Sequence, residues 1–183
     1  MSPQNEGDIH QMIDLFTGTA ISLAAPRSSD IEEMKTWRNS HYLRMVDTDY
    51  AFPKVPESPS KALEFRIRTN EEDQLLGFAA LHSIEWNNQC ALLAIGIGEE
   101  EHRGKGYGAE ALQLLLQYAF YELNLNRVGL DVISYNEPAI RTYRKAGFKE
   151  EGRLRETVLR DGKAFDRIVM GILRREWVAL QAE

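Results

Sequence analysis

A single cysteine, Cys90, in 183 residues excludes an internal disulfide and any cysteine-based metal cluster. A reducing cytoplasm is the expected compartment, and Cys90 reads as a packed or half-exposed strand residue rather than a nucleophile. No apolar run reaches the roughly 18 residues that a membrane-spanning helix requires. The opening MSPQNEGDIHQ lacks the basic-then-apolar order of a secretory signal. Basic excess is absent too: the formal net charge is −6, so no cationic surplus exists to displace counterions from a nucleic acid. Internal repeats and low-complexity tracts are also missing.

What is present is an ordinary globular composition, 43% hydrophobic and 27% charged. The length suits one domain that buries roughly two-thirds of its unfolded surface. Residues 1–17 read as a tail or short helix, and 18–183 as the domain. Ile9, Met12, Ile13, Leu15 and Phe16 could pack on this domain or on a second copy.

The stretch Gly98–Ala109, GEEEHRGKGYGA, lies between an apolar strand pattern and an amphipathic helix pattern. Its glycines Gly104, Gly106 and Gly108 alternate where the chain turns from strand into helix. A helix start offers unpaired N–H groups and partial positive charge, and glycine lets backbone approach an anion. Arg103 and Lys105 add charge, Arg103 with a fork suited to phosphate oxygens. This predicts a pyrophosphate-binding turn. The P-loop pattern fails, because Gly106 stands where Ser or Thr must hold magnesium. The dinucleotide fingerprint is met only loosely, and Asp131 lies within a strand pattern rather than at its end. A glycine-rich helix entrance with no ligand is the plain alternative.

Along the chain, Ala20–Ala24 predicts a strand, and Ser28, Ser29 or Asp30 caps a helix reaching Ser40. His41–Pro59 carries Pro53, Pro56 and Pro59 without a sustained period and reads as a substrate-side wall; Tyr42, Tyr50 and Phe52 could equally anchor that loop. Lys61–Leu63 closes a short helix. Glu64–Thr69 alternates with Phe65 and Ile67 on one face. Leu75–Ile84 pairs with it across Asn70–Asp73, and Asn87 and Asn88 turn the chain into Ala91–Gly98. A helix follows over Ala109–Leu123, then a strand over Arg127–Ile133, which makes a parallel crossover. Another helix starts after Ser134–Asn136 and stops at Gly147. Phe148–Leu159 and Ala164–Leu173 flank Asp161 and Gly162, a hairpin signal, and Glu176–Glu183 ends the chain with Trp177 as anchor. The result is an α/β fold with a mixed central sheet, antiparallel first and then containing at least one parallel step.

Three separated pieces together resemble the GNAT N-acetyltransferases over roughly residues 20–178. The loop Arg103–Gly108 matches Arg/Gln-x-x-Gly-x-Gly/Ala. Asn136–Phe148 matches N-x-x-A-x-x-x-Y-x-x-x-G-F. The closing hairpin resembles the branch containing ribosomal-protein N-terminal and spermidine acetyltransferases. The resemblance implies a GNAT fold with a splayed parallel pair and helices on both faces. It implies acetyl-CoA as cosubstrate, without a metal, held by Ile95, Gly96 and Ile97, by Arg103, Gly104, Lys105, Gly106, Tyr107 and Gly108, and by Asn136. Gly96 and Gly98 suit close approach of that cosubstrate, or relief of crowding against a helix. Tyr143 is implied as the proton donor to the departing thiolate. The general base is expected to be Glu85, with Glu33 and His82 behind it, because Glu85 ends a strand that should neighbour the splay. Glu99–Glu101 read as a solvated acidic edge. The acceptor is expected to be a small amine or a protein N-terminus, with a homodimer as a further partner and neither nucleic acid nor membrane involved. A non-catalytic acyl-CoA sensor and a dinucleotide-dependent oxidoreductase are the competing classes.

Overall fold

The computed structural model describes residues 15–37 and 62–182. The expected substrate-side wall over 41–59, with Tyr42, Tyr50 and Phe52, lies outside the described residues, as do residues 1–14. Seven strands form one sheet in the order β1-β2-β3-β4-β5-β7-β6. The first half is a meander. β1 (Ile21–Ala24) pairs with β2 (Leu63–Thr69), β2 with β3 (Leu75–Glu85), and β3 with β4 (Cys90–Ile97), all antiparallel. The second half holds β5 (Arg127–Ile133), β7 (Lys163–Leu173) and the edge strand β6 (Lys149–Arg160), again antiparallel. The β4–β5 contact is parallel.

Helices cover both faces, because the strands alternate their side chains. Ala79, Leu81, Leu93 and Ile97 point to the main core, which they share with α2 (Tyr107–Gln117) through Leu112, Leu115 and Leu116. Ile140 and Tyr143 of α3 (Glu137–Lys145) and Trp177 of α4 (Arg174–Gln181) join that core, Trp177 against Phe120 and Tyr121. Phe78 and Ala94 point the other way and meet Met34 and Trp37 of α1 (Asp30–Trp37). α2 ends in a π-turn over Tyr118–Glu122.

Most elements start and stop where local chemistry dictates. Arg160 pairs with Lys163 across Asp161 and Gly162, both at positive φ (48° and 75°), the two-residue turn that matches strand twist. Gly147 (φ 97°) ends α3 in the left-handed region. Phe16 packs on Phe65 and Tyr118, so the segment before β1 is anchored to this domain.

Two expectations are corrected. Leu63 opens β2 instead of closing a helix. Asp30 is no simple cap: its carboxylate accepts from the Arg27 N–H, but it is buried and also pairs with Arg68, with Arg66 at 3.9 Å. Both faces of β2 are therefore covered, the apolar one by the main core and the arginine one by α1. Burial lowers the pKa of the Arg66 guanidinium, against the opposing pull of Glu64 and Asp30.

Candidate active site

β4 and β5 are joined by only three residue pairs, Cys90 with Arg127, Ala91 with Val128 and Leu92 with Gly129. Beyond Leu92 they part, β4 staying with β3 as far as Ile97 and β5 with β7 as far as Ile133. A cavity of about 1050 Å³ occupies the gap. Ile95 and Ile97 line it from the α2 face; Ala94, Gly96, Asp131 and Ile133 line it from the opposite face. The cavity thus passes through the sheet.

On the α2 side lies the glycine loop. Gly104 and Gly106 hold φ of 74° and 91°, and no atom lies within 4 Å of where their side chains would begin. Gly106 is the N-cap of α2 and supplies no side-chain acceptor, so the first N–H groups of that helix face open space. Such a cradle fits an anion with two phosphates. Gly104, Gly106, Tyr107 and Gly108 all line the cavity.

The two charged residues of the loop behave differently from expectation. The Arg103 guanidinium turns back, donating to the Gly98 carbonyl (2.5 Å) and the Ile97 carbonyl (3.4 Å). It fastens the loop to the end of β4 while still lining the cavity. Lys105 is exposed and outside the cavity wall. Gly96 and Gly98 have a packing reason for lacking side chains. A Cβ on Gly96 would lie 2.5 Å from the Phe78 ring, and one on Gly98 would lie 2.3 Å from the Trp37 indole.

α3 closes the cavity from below. Asn136 is its N-cap, Oδ1 accepting from the Ala139 N–H at 3.4 Å, and it is buried against the cavity. Two turns on, Tyr143 also lines the cavity; it is 9% exposed and packs on Phe148. Arg141 and Lys145, four residues apart on this helix, line the wall as well. Nothing marked them in the sequence beyond their i, i+4 spacing.

Glu85 stands elsewhere. β3 runs antiparallel to β4, so the C-terminal end of β3 meets the closed end of the β4–β5 pair: Glu85 pairs with Cys90, and the Asn88 side-chain amide donates to its carboxylate. It is exposed and does not line the cavity. Glu33 is exposed on α1 and does not line it either. His82 does, from the face opposite α2, paired with Leu92 at the last rung before the splay. A bulge follows it, with Ser83 at φ 50°. Burial pushes the His82 imidazole below its usual pKa, with Asp131 pulling the other way, so it is neutral at pH 7.

The β6–β7 hairpin extends past Ile133 and overhangs this side of the gap. Phe165 stacks edge-on against Tyr135 with centroids 4.5 Å apart, bracing the hairpin on the β5–α3 corner. Arg160 and Arg167 line the cavity from it, and Arg167 lies 3.2 Å from the Asp131 carboxylate.

The acetyltransferase (GNAT) domain family matches residues 3–149 of this chain. A SPbeta prophage-derived uncharacterized N-acetyltransferase of Bacillus subtilis, YokL, is 38% identical over 173 residues, which are 90% of this chain and 96% of that protein. The spermidine N(1)-acetyltransferase of Escherichia coli is 30% identical over 146 residues, 80% of this chain and 76% of that protein. Among solved structures, spermidine N-acetyltransferase from Vibrio cholerae in complex with CoA and spermine superposes with a TM-score of 0.73 at 26% identity, covering 86% of this chain and 98% of that one. The dodecameric structure of the same Vibrio cholerae enzyme in an intermediate state gives 0.75 at 26% identity, covering 89% and 98%. The chain belongs to the GNAT N-acetyltransferase family.

Proposed function

We propose that this protein transfers the acetyl group of acetyl-CoA to a primary amine by direct attack within a ternary complex. One observation carries the reading: a cavity that runs through the sheet at a three-rung parallel pair, with an uncapped helix N-terminus on one side and a neutral imidazole on the other. The first N–H groups of α2 would hold the pyrophosphate, and Asn136 and the β4 edge from Ile95 to Ile97 the pantetheine arm. The acceptor enters from the opposite face. His82 takes a proton from the ammonium, the freed nitrogen attacks the thioester carbon, and a β4 backbone N–H meets the developing oxyanion. As the C–S bond breaks, the Tyr143 hydroxyl gives its proton to sulfur, the second proton shed by the new amide nitrogen returns to the Tyr143 oxygen, and His82 releases the first to solvent; a phenol of pKa about 10 is protonated at neutral pH and available to donate.

Residues 18–183 act as one domain in this proposal. A single cysteine fits a reducing cytoplasm, and no helix among the described residues is long and apolar enough to cross a membrane. The dodecameric relative supports self-association. A thermal-shift comparison tests the cosubstrate: acetyl-CoA and CoA should raise the Tm while NAD and ATP leave it unchanged. Free-thiol release on adding amines then tests turnover. A shift with NAD and none with CoA would replace the reading with a nucleotide-dependent one.

A further inference from the structure

α2 and α3 pack on the same face of the sheet, and each follows one strand of the parallel pair. The cavity continues between them. Ala109 and Gln113, one turn apart, line it from α2; Thr142 and Ala146, one turn apart, line it from α3. It therefore reaches about two helical turns past the N-caps Gly106 and Asn136. The glycine loop and Asn136 use the open end of this groove, and the rest of its length is free for another part of the same ligand.

The lysines and arginines that line the cavity among the described residues are Arg103, Arg141, Lys145, Arg160 and Arg167. Arg103 is fastened to the Ile97 and Gly98 carbonyls, and Arg160 and Arg167 come from the hairpin on the other side. Arg141 and Lys145 are the cations of the groove. Both are exposed, and neither makes an ion pair among the described residues. Arg144, beside Lys145, pairs with Glu150 and stays outside the cavity wall, as does Glu137, one turn before Arg141. Two carboxylates line the α2 side. Glu110 reaches the Ala20 N–H (2.9 Å) next to β1, and Glu100 belongs to the turn into the glycine loop.

Two cations at i and i+4 repel each other and weaken a bare helix. The helix dipole favours cations in the last turn, which accounts for Arg144 and Lys145. It does not account for Arg141 in mid-helix, nor for a basic pair on a cavity wall. An anion received between them does. Besides its pyrophosphate, CoA carries a phosphomonoester on the adenosine ribose, with about two negative charges at neutral pH and three acceptor oxygens. The guanidinium fork of Arg141 offers it paired donors, and the Lys145 ammonium adds a point charge.

We infer that Arg141 and Lys145 receive the 3′-phosphate of CoA and make the site prefer CoA to 3′-dephospho-CoA. The inference rests on the acetyl-transfer reading and extends its cosubstrate site along α3.

The test is calorimetric binding of CoA and of 3′-dephospho-CoA to the full chain. The unaltered protein should bind CoA at least about tenfold more tightly, as charge-assisted bonds to a phosphate warrant. Arg141→Gln and Lys145→Gln should each weaken CoA several-fold and leave dephospho-CoA nearly unchanged, and the double variant should bind the two ligands alike. Glutamine keeps the helix propensity, and the Tm without ligand checks folding. Arg144→Gln removes an adjacent charge outside the cavity and should keep the full preference. Equal affinity for both ligands in the unaltered protein would overturn the inference and leave acetyl transfer standing. So would a preference that survives the double variant, equal weakening of both ligands in folded variants, or loss of the preference in Arg144→Gln. Binding of neither ligand would overturn both.

Discussion

Tyr143→Phe removes one hydroxyl and keeps the ring that packs on Phe148. The packing change is small, so the variant should fold and bind acetyl-CoA normally. Its kcat should fall at least tenfold, measured where chemistry limits turnover, because a positioned acid contributes about 10²–10⁴-fold. Unchanged kcat would reduce Tyr143 to a core aromatic. His82 carries a different test. Its imidazole titrates below the usual value of about 6.5 because burial disfavours the cation. The profile of kcat/KM against pH should therefore keep the base competent down through neutral pH and lose activity below about 6.5, a limb that vanishes in His82→Gln. The sign for stability is the same. Unfolded chain takes up the proton at higher pH than folded protein, so His82 costs nothing above its unfolded pKa and destabilises progressively as pH falls through it. At this scale the placing of Tyr143, Asn136 and the glycine loop around one cavity was legible, because their spacing matches the family pattern. The position of Glu85 away from the cavity was not, because one strand direction decides which end of β3 meets the splay. Arg160 and Arg167 look like any solvated charges on a hairpin until the hairpin is seen to overhang the gap.

The loop from Arg103 to Gly108 works as a unit with α2. Gly106→Val would force a branched residue to φ 91° and fill the open space over the first N–H groups. CoA affinity should drop at least tenfold by calorimetry while the far-ultraviolet dichroism stays native; full affinity in a folded variant would make the loop a plain helix entrance. α1 depends on a charge instead. Asp30→Asn leaves the buried guanidiniums of Arg66 and Arg68 without their shared anion, and should cost about 3–5 kcal/mol in denaturant unfolding. A loss under about 1 kcal/mol would mean water replaces the carboxylate there. Period-two alternation gave β2 from the sequence, and the reading of Phe65 and Ile67 as its core face was right for one side. The other side could not be read, since an Arg66 and Arg68 face is buried only because α1 lies over it and brings Asp30. By contrast β5 was legible to the residue, with apolar Val128, Leu130 and Val132 alternating between a polar link and a polar turn.

At the scale of the molecule, the order of strands and helices was readable because each turn carries its own chemistry: Asn87 and Asn88, Asp161 and Gly162, Gly147. The parting of β4 from β5 was legible only through the family resemblance, since no pattern in either strand marks where the three-rung contact stops. That contact has a bearing on how the protein moves. Every pairing within β1 to β4 and within β5 to β7 has four or more residue pairs, and the three-rung seam between the two groups is the shortest junction. Native-state amide exchange should consequently resolve two cooperative units, not one. A cosubstrate lying in the seam would span both, so its arrival should fuse the two units into a single one and its departure as CoA should release them. The enzyme's mechanical integrity would then rise and fall once in every turnover.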